Sequence, residues 1–325
     1  RIVNVQSGDR VYDPTCGSGS LLIKAAKKQN ASQVTIYGQE VNGSSVAMAK
    51  MNMYIHEIRD AKIAWGDTLA KPAFKDDDGN LLLFDAIVAN MPFSKDKWAA
   101  GFNPGGEAVG SGVKQFKMEP SLDRYHRFDW GVPPASKGDW AFLLHMIKSL
   151  AIDGTIAAVA PHGVLFRGSA EGKIRQRVIE ENILDAVIGL PENLFYGTSI
   201  PACILVFKKG RKTDDILFID ASKKDENGDL RYIKATNQNE LGEKHIDDII
   251  KAYKNRADVD KFAHVATLEE IRENDFNLNI PRYVDTFEEE ELIDIEEVQK
   301  SIADLKIEIA EAEAKMDEYL RTLGL

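Results

Sequence analysis

Arg10-Val11-Tyr12-Asp13-Pro14-Thr15-Cys16-Gly17-Ser18-Gly19-Ser20-Leu21-Leu22-Ile23 decides how this chain is read. An apolar strand, Arg10–Asp13, runs into a glycine-bearing turn, and the turn opens a helical stretch over Ser20–Gln29. Glycines let a backbone turn tightly and approach a ligand, and a helix N-terminus offers free N–H groups. The third glycine or alanine of a dinucleotide fingerprint falls on Leu22, which lowers a nicotinamide reading.

Outward from this turn, short runs rich in branched and aromatic residues alternate with amphipathic stretches. Strands are expected at Val34–Glu40, Lys62–Trp65, Phe84–Ala89, Thr155–Ala160, Leu184–Leu190 and Ala202–Phe207. Helices are expected at Ser44–Ile58, Asp139–Leu150 and Ala170–Glu181. This order predicts an α/β fold, a parallel Rossmann-like sheet with helices on both faces. Ser94 to Lys137 is a long loop without clear periodicity, and such loops are usually functional or disordered. Residues 208–284 read as a polar hairpin followed by a mixed region.

The tail has another period. Ile295, Val298, Ile302, Leu305, Ile309, Ala312, Met316, Tyr319 and Leu323 alternate spacings of three and four, the seam of a coiled coil. Residues 285–325 are therefore expected to form a partner-docking helix, with residues 1–284 as the catalytic domain. Packing of that helix on its own domain is the alternative.

The 325 residues are 44% hydrophobic and 29% charged, a globular mix. The net charge is −11, and the tail from Asp285 onward, with 14 acidic and 4 basic residues, carries −10 of it. The near-neutral body does not oppose a nucleic-acid substrate, but lacks the basic footprint of a protein that grips DNA unaided. No apolar run is long enough for a membrane span, and two cysteines make no disulfide framework. A cytoplasmic protein is expected. His, Cys and carboxylate residues show no metal-site spacing. A motif-bearing strand so soon after Arg1 is expected of a piece of a longer product.

Three further strand ends carry chemistry. Glu40 stands where a carboxylate accepts both ribose hydroxyls, or is an exposed helix-start acid. Asp67 can accept from an adenine amino group, or cap the following turn. Asn90-Met91-Pro92-Phe93-Ser94 ends the fourth strand. The Asn90 side chain and the Met91 carbonyl can both accept hydrogens of one exocyclic NH2, aiming its lone pair at an electrophilic methyl, while Phe93 stacks on the ring. Carboxyl ends of parallel strands are where such sheets bind ligands.

Asp-Pro-x-Cys-Gly-x-Gly, Gly38-Gln39-Glu40, Gly66-Asp67-Thr68-Leu69 and Asn-x-Pro-Phe together resemble an S-adenosylmethionine-dependent adenine-N6 DNA methyltransferase. More narrowly, the chain resembles the modification subunit of a type I restriction–modification system. Gly189-Leu190-Pro191-Glu192-Asn193-Leu194-Phe195, Ser199-Ile200-Pro201 and the stretch from Asn274 to Tyr283 add to that resemblance. It implies S-adenosylmethionine as cofactor, with Asp13, Thr15, Cys16, Gly17, Ser18 and Gly19 around its methionine part. Glu40 is implied at the ribose, and Asp67, with Thr68 beside it, at the adenine. Asn90, Met91, Pro92 and Phe93 are implied as the target-adenine site. DNA, a specificity subunit docked on the tail helix and a restriction subunit are the implied partners. The family usually has a second proline where Met91 stands, and carries an upstream helical domain not seen in this sequence.

In the long loop, Trp98, Phe102, Phe116, Tyr125, Phe128 and Trp130 lie among Lys95, Lys97, Lys114, Lys117, Arg124 and Arg127. This suits a flipped base and its phosphates, or a lid folded on its own aromatic cluster. His162 is expected to be structural, and Cys16 a small turn residue rather than a nucleophile. Three readings compete: methylation of a protein glutamine amide, a non-catalytic assembly scaffold, and an amine- or RNA-methylating enzyme of the same fold.

Overall fold

The computed structural model describes residues 1–27, 34–102, 118–195, 199–225 and 227–285, with scattered positions between 302 and 320. It divides into two units, Arg1–Thr286 and Phe287–Leu325.

In the first unit, β1 (Arg10–Asp13), α1 (Ser20–Lys27), β2 (Thr35–Glu40), α2 (Gly43–Ile55), β3 (Lys62–Trp65) and β4 (Phe84–Asn90) follow in order. Next come α3 (Asp139–Lys148), β5 (Leu150–Pro161), α4 (Gly163–Phe166), α5 (Ser169–Glu180), β6 (Leu184–Gly189) and β7 (Ala202–Lys208). The last elements are β8 (Ile216–Asp220), α6 (Glu243–Asn255), β9 (Ala263–Ala266) and α7 (Leu268–Glu273). Together the strands form a nine-stranded sheet ordered β3-β2-β1-β4-β5-β7-β6-β8-β9. β1 to β6 and β8 share one direction, while β7 runs against β5 and β6, and β9 against β8.

Each sheet face is covered because side chains alternate along a strand. Val11, Ile36 and Ala86 point into a core with Leu22, Ile23, Ala49 and Met53 of α1 and α2. Their neighbours Tyr12, Tyr37 and Ile87 point into the opposite core, with α3 and α5. α3 is buried over nearly its whole length, from Asp139 to Ile147. A third core, Ile188, Val206, Leu217, Ile219, Ile249 and Ala252, lies under α6.

The predicted strands and helices all appear, with shifted ends. β5 starts at Leu150 rather than Thr155, because the register against β4 slips between Phe84 and Ala86. Gly154 is required there: a Cβ would stand 2.9 Å from the Phe84 carbonyl oxygen and 3.0 Å from that of Asp85. The mixed region past residue 208 contributes β8 and β9, which extend the sheet. Lys28 and Gln29 of the first predicted helix lie outside the described residues.

In the second unit, Ile302, Leu305, Lys306, Ile309, Ala310, Ala312, Glu313, Lys315, Met316 and Leu320 are helical. Ile302, Leu305, Ile309 and Met316 of the predicted seam are exposed. Ile295, Val298, Tyr319 and Leu323 lie outside the described residues. No helix among the described residues is long and apolar enough to cross a membrane.

Phe207 is fully buried on β7, paired with Ile156 of β5 and Leu184 of β6. Phe207→Ala is expected to destabilise the protein by about 3–5 kcal/mol, read as a lower denaturant midpoint with the unfolding slope unchanged. A loss under ~1 kcal/mol would mean the central sheet collapses around the void.

Candidate active site

The carboxyl ends of β1, β2, β3 and β4 come together on one edge of the sheet. In parallel register, Asp13 is paired with Gly38, Glu40 with Trp65, and Tyr12 with Ile87. Asp13, Glu40 and Asn90 therefore end neighbouring strands, and Asp67 follows β3 by two residues.

The turn after β1 is held from below and from the side. The Cys16 N–H donates to the Gln39 carbonyl at 3.0 Å, and the Thr15 N–H to Asp13 Oδ1 at 2.9 Å. Gly17 and Gly19 both have positive φ, +51° and +80°, which an L side chain tolerates poorly. At Gly19 a Cβ would also meet the Met53 side chain at 2.7 Å. The Asn52 side-chain amide donates to the Ser18 carbonyl at 2.9 Å and ties the turn to α2.

Glu40 faces the turn. Its Oε2 accepts from the Gly17 N–H at 3.0 Å, and its Oε1 from the Asn42 N–H at 2.8 Å. Each oxygen keeps a lone pair for a further donor. Asp67 Oδ1 accepts from the Leu69 and Ala70 N–H groups at 2.9 and 3.3 Å. The turn-cap reading of Asp67 is thus realised, with Oδ2 making no hydrogen bond among the described residues. Thr68 donates from Oγ1 to the Pro14 carbonyl at 2.6 Å, locking the Asp67 turn to the β1 turn.

A cleft of about 700 Å³ lies over these ends. Thr15, Gly17, Glu40, Asp67 and Thr68 line it, together with Asn90, Met91, Pro92 and Phe93. Asp13, Cys16, Ser18 and Gly19 shape the turn beneath and do not line the cleft. Asn90 is exposed, and its carboxamide makes no hydrogen bond among the described residues. The Met91 side chain is buried in the core, so only its backbone can serve a ligand.

Sequence reading gives no site role to Val41, Phe142, Phe195 and Ile200, which also line the cleft. Phe195 meets Phe93 edge to face, with ring centroids 6.3 Å apart at 79°. Phe195 stands in a segment that carries the family resemblance, but its nearness to Phe93 is a long-range fact with no local signal. Asp139 has no signal in the sequence either. It is fully buried at the start of α3, and its Oδ1 accepts from the Ser94 N–H at 2.6 Å. Ser94 has φ +51°, so Asp139 stabilises the strained residue that follows Phe93. Arg167 bridges Asp139 and Glu171 at 3.1 and 3.0 Å.

Of the loop residues, Trp98, Arg127 and Phe128 are buried, and Trp98, Phe102 and Phe128 pack with centroids 5.1–6.2 Å apart. The described part of the loop is a lid folded on its own aromatic cluster. Lys114, Phe116 and Lys117 lie outside the described residues. The His162 side chain donates from Nε2 to the Ala202 carbonyl at 3.0 Å, and burial lowers its pKa. Burial, with the Asp13 and Glu40 carboxylates adding to it, pushes the Cys16 thiol up to about 12, too high for a thiolate nucleophile.

The model of the family described as N-6 DNA Methylase matches residues 1–292. The chain belongs to the N-6 DNA methylase family. It is similar to the type I restriction enzyme MjaVIII methylase subunit of Methanocaldococcus jannaschii, 32% identical over 99% of this chain and 54% of that protein. The type I restriction enzyme MpnII methylase subunit of Mycoplasma pneumoniae is 33% identical over 97% of this chain and 56% of its own length. Among solved structures, the type I restriction-modification methyltransferase subunit of Streptococcus thermophilus superposes with a TM-score of 0.72 at 42% identity. That match covers 86% of this chain and 55% of that one. The chain spans about half the length of these relatives.

The Asp13 carboxyl is almost wholly buried, and burial pushes its pKa up to about 7; the Thr15 N–H opposes this and the Glu40 carboxylate adds to it. An unfolded aspartate titrates near ~4. The folded protein therefore holds the proton more tightly, and loses stability as pH rises from about 4 through about 7. Asp13→Asn removes that loss. Its thermal midpoint relative to the wild type is expected to rise between about pH 4 and about pH 7 in ligand-free protein. Parallel pH profiles for the two proteins would mean Asp13 is ionised throughout.

Proposed function

We propose that the protein is the modification subunit of a type I restriction–modification system. It transfers a methyl group from S-adenosylmethionine to N6 of adenine in double-stranded DNA. The observation that carries this reading is the single cleft in which Asn90-Met91-Pro92-Phe93 faces the Glu40 and Asp67 wall.

The donor set fits the cofactor. Glu40 offers carboxylate lone pairs at the end of β2, where ribose hydroxyls can donate to them. Asp67 Oδ2 is an acceptor for an adenine amino group, and Val41 and Ile200 are apolar walls beside it. Asp13 supplies a carboxyl under the turn, able to balance the positive charge of a methionine amino group, and the Thr15 and Gly17 backbone frames the same end. When bound, S-adenosylmethionine supplies an electrophilic methyl on a sulfonium.

This chain's own residues do the rest by placement. Asn90 Oδ1 and the Met91 carbonyl accept the two hydrogens of the adenine amino group and point its lone pair into the cleft. Phe93 offers a face to the base, and Phe195 closes an edge. The fixed turn at Ser94, held by Asp139, keeps Phe93 from swinging away. Because the amino group is paired inside a duplex, the adenine must leave the stack, at a cost of a few kcal/mol. The near-neutral body suits a subunit whose sequence reading is delegated to a specificity subunit. The exposed apolar seam Ile302, Leu305, Ile309 and Met316 is the surface proposed to dock that subunit, with a restriction subunit completing the assembly.

The test uses the full-length protein, co-expressed with its specificity subunit in a host without adenine methylation. N6-methyladenine in digested DNA is measured by mass spectrometry. The wild type is expected to produce it, and Asn90→Ala to lower the rate at least about a hundredfold while still binding S-adenosylhomocysteine. Folded, cofactor-binding wild type that leaves the DNA unmethylated sinks the DNA assignment and favours a protein amide as substrate.

A further inference from the structure

The arginines behind the cleft are spent on the protein itself. Arg127, its side chain wholly inaccessible, donates to the Asp123 carboxylate at 2.8–3.2 Å. It also donates to the Leu69 and Thr68 carbonyls at 2.7 and 3.5 Å, and its Nη1 lies 3.2 Å from His145 Nδ1. Arg167 donates to Asp139 Oδ2 and to both Glu171 oxygens at 3.0–3.1 Å. Lys95 is different. It is half-buried and lines the cleft two residues after Phe93. Its ammonium makes no hydrogen bond or ion pair among the described residues. Among the described residues that line the cleft it is the one cation, against the carboxylates of Glu40 and Asp67. Its neighbour Asp96 is exposed, and Asp96 Oδ1 accepts from the Lys97 N–H at 2.9 Å.

The backbone around Lys95 is clamped. The Ser94 N–H donates to Asp139 at 2.6 Å, and the Lys95 carbonyl accepts from the Gly138 N–H at 3.0 Å. The Lys97 N–H donates to the Ala135 carbonyl at 2.9 Å, and buried Trp98 donates from Nε1 to the Pro134 carbonyl at 3.0 Å. Gly138 leaves room for this clamp: a Cβ there would stand 2.9 Å from the Trp98 Cβ and 3.2 Å from the Lys95 carbonyl oxygen. An exposed lysine on a loose loop gives back most of its Coulomb gain as chain entropy and screening. At Lys95 only the side-chain torsions are left to fix when an anion arrives.

A half-buried ammonium loses part of its hydration on folding, and here no protein carboxylate compensates it. An anion that comes with the substrate can. Two are at hand: a phosphodiester beside the extruded adenine, and the carboxylate at the methionine end of the cofactor. Lys95 continues the chain from the target-base residues, whereas the methionine end belongs to the turn after β1. Extrusion turns a nucleotide about its own backbone, so its phosphates stay at the mouth of the pocket that takes the base. The phosphate is therefore the better match.

We propose that Lys95 binds a phosphate flanking the extruded adenine and so registers the target strand on the base site. It rests on the DNA reading given above. Phosphate contacts fix register and orientation, while base contacts specify. Lys95 thus brings the amino group to Asn90 without choosing the base.

The test uses the full-length protein with its specificity subunit, and a duplex carrying the site mapped from methylated DNA of the co-expression host. Lys95→Gln is expected to weaken DNA binding about fivefold. The slope of log affinity against log salt is expected to fall in magnitude by about 0.9. S-adenosylhomocysteine affinity and the thermal midpoint are expected to stay at wild-type values. Lys95→Arg keeps the charge and is expected to restore both DNA readouts. A neutral methylphosphonate is then placed at each of the two linkages flanking the target adenine. At one of them the wild type is expected to suffer the same loss, and Lys95→Gln to lose nothing more. Wild-type affinity and salt slope in Lys95→Gln overturn this inference alone, as do methylphosphonates that cost both proteins equally. So does a loss of S-adenosylhomocysteine binding with the salt slope unchanged, which assigns Lys95 to the cofactor carboxylate. A wild-type complex that binds no DNA overturns the DNA reading and this inference with it.

Discussion

The register between β1 and β4 is the constraint on which the site depends. Val11 is paired with Ala86 and Tyr12 with Ile87, so β1 gives out at Asp13 while β4 runs on to Asn90. A parallel pair cannot slip by one residue without turning every side chain to the opposite face. Here slippage would send Tyr12 and Ile87 from the α3 core to the α1–α2 core. Both cores are fully packed, so the register is specified from two sides. The offset of Asp13 and Asn90 is therefore a property of the buried strands, and the cleft inherits it.

The same economy governs polar groups around the cleft. Asp13, Asp139, Asp123, Arg127 and Glu171 are all buried, and burying such groups costs free energy unless partners satisfy them. Asp139 is satisfied by the Ser94 N–H and the Arg167 fork from distant segments, and Asp123 by the fork and backbone N–H of Arg127, four residues on. Asp13 is different. It accepts from the Thr15 N–H while burial disfavours its charge.

Much of this was legible in the sequence, for identifiable reasons. Asp13, Glu40 and Asn90 each close a short apolar run, and Asp67 follows one by two residues, so local pattern placed all four on one edge once the strands were taken as parallel. The reversal of β7 was not legible: Ala202–Lys208 looks like any buried strand, and its direction is set by pairing with β5 and β6. β8 and β9 were hidden because polar loops surround them. Asp139 and Arg127 were hidden for another reason. Their roles lie in partners far along the chain, Ser94 for one and Thr68, Leu69 and His145 for the other. The lid's aromatics had two readings at the level of composition, and burial of Trp98 and Phe128 decides between them for the described part.

Folding the lid into the same core as the sheet has a consequence for how the cleft can move. Trp98, Phe128, Tyr12 and His145 belong to continuous packing, and close-packed interiors shift between discrete arrangements rather than bending smoothly. Swinging the whole lid open would expose Trp98 and Phe128 and strand the Arg127–Asp123 pair. The other wall of the cleft carries Phe195 and Ile200. Phe195 is only partly buried, packing on the core under α6 and edge to face on Phe93, and Ile200 is exposed. Met91 and Phe142 of the cleft belong to the main core and Phe195 rests on the core under α6, so both sides of the cleft are tied to packed layers.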